Sequence, residues 1–264
     1  MWFNFSTLLY IICSKDDLLS LKECHMNTKT TAQKILEFYD SLKNVGINLP
    51  EKYRLINPFT GANQQRIAQI THRFYHRYYH DDKQRFMILG SSPARRGTAL
   101  TGVPFEDVNH LQEDTGISIN AFGANKRSSS FLYEVMEEYG GRQNFYKQFY
   151  MNFVCPLGIE KINLKGNWVN CNYYENAALK KCLHPFIVDS LSCQIDFNID
   201  TTVCFCIGSG ENFKFLTNIN NKHHFFDTIV PLEHPRFIMQ YNADRKEEFI
   251  QKYVNIFRQY GMGK

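Results

Sequence analysis

The sequence predicts an α/β protein, a three-layer α/β/α arrangement around a central, mainly parallel four-stranded sheet. Three observations carry this. Short apolar runs suited to buried strands alternate with amphipathic helical stretches. Each apolar run ends on small or turn-forming residues. No internal repeat or low-complexity linker breaks the order, and 264 residues, 44% of them hydrophobic, suffice for one sizeable core.

The elements follow in chain order. Residues 29–44 predict an amphipathic helix capped by Thr30 or Thr31, with Ile35, Leu36, Phe38, Tyr39 and Leu42 along one side. Residues 50–60 read as a loop turned by Asn57-Pro58, and residues 62–79 as a second helix. RFMILGSSP, residues 85–93, is a first strand, followed by a glycine-containing loop over 94–105. Helices are expected at 106–114 and 127–139. FYMNFVCPLGI, residues 149–159, is a strand running into a loop, and NWVNCNYY a small hairpin arm or extended segment. A helix over 175–194 precedes a third strand at 202–210, a helix at 211–219 and a fourth strand at 227–235. An amphipathic helix over 244–259 closes the chain.

Residues 1–25 contain a short apolar run with no basic residue before it, too short to span a bilayer and without a signal-peptide cleavage site. They are expected to be an extension upstream of a start at Met26, leaving residues 26–264 as a single domain. The formal charge of +4 permits nucleic-acid binding without arguing for it. The eight cysteines form no CxxC pair, so buried free thiols in a reducing cytoplasm are expected rather than zinc. The expected setting is cytoplasmic, with no membrane contact and no cofactor.

Ligands of parallel sheets bind outside the carboxyl ends of the strands. Four segments converge there. In GSSPARRGTALTGVPFED, residues 90–107, Gly90 and Pro93 allow close backbone approach, and Arg95 and Arg96 can meet phosphates. Phe105 is either a flat stacking platform or a core residue. Asn152 stands alone among apolar neighbours; its amide either reads the edge of a base or satisfies backbone groups at a strand end. In IGSGENF, Ser209 and Gly210 expose amides that can hold a phosphate, or serve close helix–strand packing. In LEHPRF, His234 can donate to an oxygen gaining negative charge, with Pro235 and Arg236 beside it.

Taken in order, these pieces resemble the uracil-DNA glycosylase superfamily, above all its single-strand-selective monofunctional branch and the bacterial relatives of that branch. The quoted matches are GSSPARRGTALTGVPF, the NFVCPL around Asn152, IGSGENF and LEHPRF, with INPF at 56–59 ahead of them; together they span roughly residues 50–260. The resemblance implies hydrolysis of the N-glycosidic bond of uracil, or of a related deaminated or damaged base, in single- or double-stranded DNA. It implies a monomer, a flipped base and no metal. Catalysis would fall to Ser92 and His234, and base binding to Phe105, Asn152, Gly90 and Ser91. DNA contacts would fall to Pro93, Arg95, Arg96, Ser209, Gly210, Pro235 and Arg236. Two departures stand out. Ser92 replaces the family's usual water-positioning Asn, and Arg236-Phe237 replaces a common Ser-Pro. Xanthine, hypoxanthine and oxidised pyrimidines are therefore open as substrates. A non-catalytic DNA-binding relative and an unrelated α/β enzyme are the competing readings, the latter expecting Asn152 and His234 to lie far apart.

Overall fold

A computed structural model describes residues 29–119 and 126–261. The expected extension at residues 1–25 lies outside the described residues.

The central sheet has four parallel strands in the order β3-β2-β6-β7, formed by Phe149–Phe153, Arg85–Gly90, Ile199–Ile207 and Thr228–Leu232. β2 and β3 are buried along their whole length, as apolar strands covered on both faces must be. One face carries Phe86, Phe149 and Phe205, which close on Phe257 of the last helix, α10 (Lys246–Gly261); its ring lies 4.9 Å from Phe149 and 5.0 Å from Phe205. On the other face Tyr150 meets Tyr79 and Phe197 edge-on. Successive strand residues point to opposite faces, so Tyr150 and Asn152 go one way, Phe149 and Phe153 the other.

The helices form where their ends are satisfied. α1 (Thr31–Ser41) starts in a reciprocal capping box between Thr30 and Gln33, which selects Thr30 as the cap. α4 (Val108–Thr115) is capped by Asp107 and α7 (Ala177–Ile195) by Asn176. α2 (Gln64–Tyr78), α5 (Lys126–Tyr139) and α8 (Glu211–His223) stand close to the ranges read from the sequence. The buried Arg85 guanidinium is fully engaged, with the Tyr146 carbonyl at 2.7 Å, the Lys83 carbonyl at 3.0 Å and Asp81 at 2.8 Å.

Four expectations need correction. Residues 53–56, expected as loop, form strand β1 (Tyr53–Ile56), antiparallel to β4 (Gly158–Ile162). β4 itself lies in what was read as loop after β3; only its partner β5 (Trp168–Cys171) was anticipated, as the arm. Three short helices were missed: α3 (Thr98–Thr101), α6 (Arg142–Gln148) and α9 (Pro235–Tyr241). Segments of four to seven residues are too short for periodicity to separate from turn. Finally, among the described residues, Cys155, Cys171, Cys204 and Cys206 are buried thiols, but Cys193 is exposed and Cys182 half-buried.

Candidate active site

An open cleft of about 590 Å³ lies at the carboxyl end of the sheet. It is built by the loop from β2 through Phe105 to Val108, the arm residues Asn170, Cys171, Asn172 and Tyr174, and the His234 turn with α9, together with Phe153 at the end of β3 and Ser129 and Leu132 of α5. Ser91, Ser92, Pro93, Arg96, Phe105, His234, Pro235 and Arg236 line it, so eight of the residues singled out by sequence share one cavity.

Phe105 is held in the left-handed region at φ 63°, a conformation that costs an aromatic residue about 1 kcal/mol or more and points to a positional demand. Its ring lies against Gly90, where an added Cβ would come within 2.6 Å of Phe105 Cζ. Gly90 is therefore a seat for the ring, beneath the cleft rather than in its lining. Next in sequence, the buried Glu106 bonds the Tyr133 and Tyr146 hydroxyls and pairs with Arg142 at 3.0 Å. Burial, only partly offset by Arg142, pushes its carboxyl up to about 7. This anchor fixes the segment that carries Phe105, and the sequence reading had passed over it.

His234 caps α9: its Nδ1 accepts the Arg236 backbone N–H at 3.0 Å. The proton of the neutral ring is thereby left to Nε2. Desolvation by the surrounding protein, helped by the positive charge of Arg236, holds the imidazole below the ordinary value of 6.5. Although one edge of the ring is open to solvent, at neutral pH it is an uncharged hydrogen-bond donor facing a cleft. Arg96 and Arg236 are exposed at the rim. Phe237 and Tyr241, 46% and 69% exposed with ring centroids 5.9 Å apart, extend the rim along α9. Their i, i+4 spacing was visible in sequence, but the helix that gives it meaning was not.

Asn152 does not line the main cleft; it lines a small adjoining pocket together with Pro93, Thr98 and Phe153, which also line the cleft. Its Nδ2 donates to the Tyr150 hydroxyl at 2.6 Å and its Oδ1 accepts the Phe153 backbone N–H at 2.9 Å, with the side chain 1% exposed. The alternative of an amide satisfying groups at a strand end describes it. Strand alternation gives the cleft Phe153 instead, whose ring stacks on Phe105 at 5.0 Å and 30°. Three other residues also stand outside the lining. Arg95 is tied to the arm, its N–H on Asn170 Oδ1 at 3.0 Å and its Nε 3.2 Å from Glu160. Ser209 and Gly210 are exposed at the β6–α8 turn. Among the described residues no three His, Cys, Asp or Glu side chains converge to hold a metal ion. No described helix is long and apolar enough to cross a membrane.

The comparisons with known proteins fit this geometry. A family model described as the uracil DNA glycosylase superfamily matches residues 76–258. Among solved structures, the wild-type SMUG2 of Pedobacter heparinus is 41% identical, with a TM-score of 0.82 over 87% of this chain and 97% of that one. No curated protein sequence matches significantly. An unrelated α/β enzyme was a competing reading, but the family match, covering most of the chain from α2 to α10, decides against it. The chain belongs to the uracil DNA glycosylase superfamily.

Proposed function

We propose that this protein excises uracil, or a deaminated base that shares its carbonyl-bearing edge, from DNA as a monofunctional glycosylase acting as a monomer in the cytoplasm. The observation that carries the reading is His234, a ring kept neutral with its Nε2 proton available in a cleft that also holds an aromatic platform.

The base leaves the helix and lies against Phe105. Unstacking costs a few kcal/mol, least in single-stranded or mispaired DNA, and stacking on an aromatic returns about 1–3 kcal/mol. As the glycosidic bond breaks, negative charge gathers on the base oxygens and positive charge on the sugar. A neutral imidazole N–H donates to such an oxygen without the cost of proton transfer, and a fixed donor of this kind is worth about 10²–10³ in rate. Ser92, with Ser91, holds the attacking water. Neither hydroxyl is a strong base, so the step relies on the sugar cation being a potent electrophile. Arg96 and Arg236 meet phosphates at the rim. Phe237 and Tyr241 stack on bases flanking the lesion.

Labelled oligonucleotides carrying one uracil, hypoxanthine or xanthine, single- and double-stranded, would be incubated with the protein and treated with alkali. The expected result is alkali-labile breaks at the lesion and their loss, by about 10²–10³ in rate, with His234→Ala. Folded wild type that cleaves none of them overturns the catalytic reading. It would favour a damage-binding relative, which Ser92 in place of a water-positioning Asn also fits.

A further inference from the structure

Asn152 lies outside the lining of the main cleft, which leaves the edge of a base bound there to be met by another polar group. We propose that Asn172, on the arm after β5, is the residue that reads it, aided by Ser91. This rests on the glycosylase reading above.

Asn172 lines the cleft and is half-buried. Its Oδ1 accepts a hydrogen bond from Ser91 Oγ at 3.3 Å. The Asn172 Nδ2 has no partner among the described residues, in contrast to both polar atoms of Asn152. The backbone of Asn172 is pinned, its carbonyl accepting from Glu175 N at 3.1 Å and from Cys171 Sγ at 3.4 Å.

The residues on either side tie the arm to the rest of the site. Asn170 Oδ1 holds the Arg95 N–H, and the Tyr173 hydroxyl donates to Asn212 Oδ1 at 2.5 Å. The buried carboxylate of Glu160 bridges Arg54 at 2.7 Å and Arg95 at 3.2 Å. The amide is thus presented from a fixed support, as a reading group must be.

The orientation has a chemical consequence. With Ser91 donating to Oδ1, Nδ2 is the group left to face a ligand, and Oδ1 keeps one lone pair. That pair of functions matches a ring carbonyl next to a ring N–H, found in uracil, hypoxanthine and xanthine. Cytosine and adenine carry an amino group in place of that carbonyl and no hydrogen on the neighbouring ring nitrogen. Cytosine and adenine would therefore leave donor facing donor and acceptor facing acceptor, an arrangement a desolvated site rejects strongly, whereas thymine and guanine share the uracil-type edge and must be told apart by other groups.

The test compares wild type, Asn172→Ala, Asn172→Asp and Asn152→Ala. Single-turnover cleavage would be read on single-stranded oligonucleotides carrying uracil, hypoxanthine, xanthine or cytosine at one site. The ratio of Kd for the undamaged strand to Kd for the lesion strand would be measured in parallel, with thermal midpoints as the control for folding. Asn172→Ala is expected to lower cleavage of the three lesions about 10- to 100-fold and to flatten the Kd ratio. Asn172→Asp, which keeps the acceptor and removes the donor, should lower the uracil-to-cytosine ratio, a readout that a purely structural role would not move. A folded Asn172→Ala that cleaves within threefold of wild type overturns the proposal. So does an Asn172→Asp with an unchanged base ratio. Wild type that cleaves nothing but binds lesions selectively, with selectivity lost in Asn172→Ala, overturns the catalytic reading and upholds this one. Wild type that neither cleaves nor selects overturns both.

Discussion

β2 and β3 run side by side in parallel, and their carboxyl ends use polar side chains in opposite ways. After β2, Ser91 and Ser92 enter the cleft. At the end of β3, Asn152 bonds Tyr150 and the chain's own backbone, while Phe153 takes the cleft side. A lone polar residue at a strand end is therefore not by itself a sign of a site. Which face it occupies decides, and in a strand that changes with every residue.

The sharpest way to break the comparison is to strip each end. Replacing Ser91 and Ser92 together by Ala should lower the single-turnover rate about 10²- to 10³-fold while the thermal midpoint holds within a few degrees. An unchanged rate would remove the end of β2 from the chemistry.

The next largest effect concerns the anchor behind Phe105. Glu106 has a carboxyl raised to about 7, so the folded state holds its proton more tightly than the unfolded chain does. The resulting stability is present in full at acid pH and is lost as pH rises from about 4.5 to about 7, on the order of 3 kcal/mol in all. Denaturant unfolding of wild type and Glu106→Gln across that window should give curves that diverge in slope. Parallel curves would show that Arg142 outweighs burial.

Asn152→Ala is expected to cost about 1–3 kcal/mol of stability, because it strips a buried hydroxyl and a backbone N–H of a partner. The rate per folded molecule should stay within threefold. A large rate loss without a stability loss would return Asn152 to the site.

The smallest effect sharpens the His234 side. The ring's pKa is depressed, so the neutral form persists at neutral pH and activity should fall only below about 6.5. Removing the charge in Arg236→Gln should move that acid limb upward in the single-turnover pH–rate profile measured at saturating DNA. A limb that stays in place would mean that desolvation alone sets it.

Much of this was legible in the sequence, because long apolar runs and capped amphipathic stretches carry their own period. The four parallel strands and the long helices stand near the places read for them, as do eight cleft residues on the motif segments. What was not legible depends on neighbours distant in sequence. β1 and β4 are strands because they pair with each other, Leu55 opposite Ile159, and neither run alternates clearly on its own. Glu106 gains meaning from Tyr133, Tyr146 and Arg142 on two later helices. The motif names Asn152, whereas the face it takes depends on register with β2, where Asn152 stands opposite Leu89 and Phe153 opposite Gly90.

The strand order carries a consequence for the chain during synthesis. β2 lies between two partners that both come later, residues 149–153 and 199–207. A nascent polypeptide that has not yet extended past the second of these holds Met87, Ile88 and Leu89 in a strand with at least one edge open, a ready template for the wrong neighbour. His234, which follows the edge strand β7, reaches its place only after the interior has closed. Fragments ending before residue 199 are accordingly expected to aggregate rather than to retain a partial binding surface.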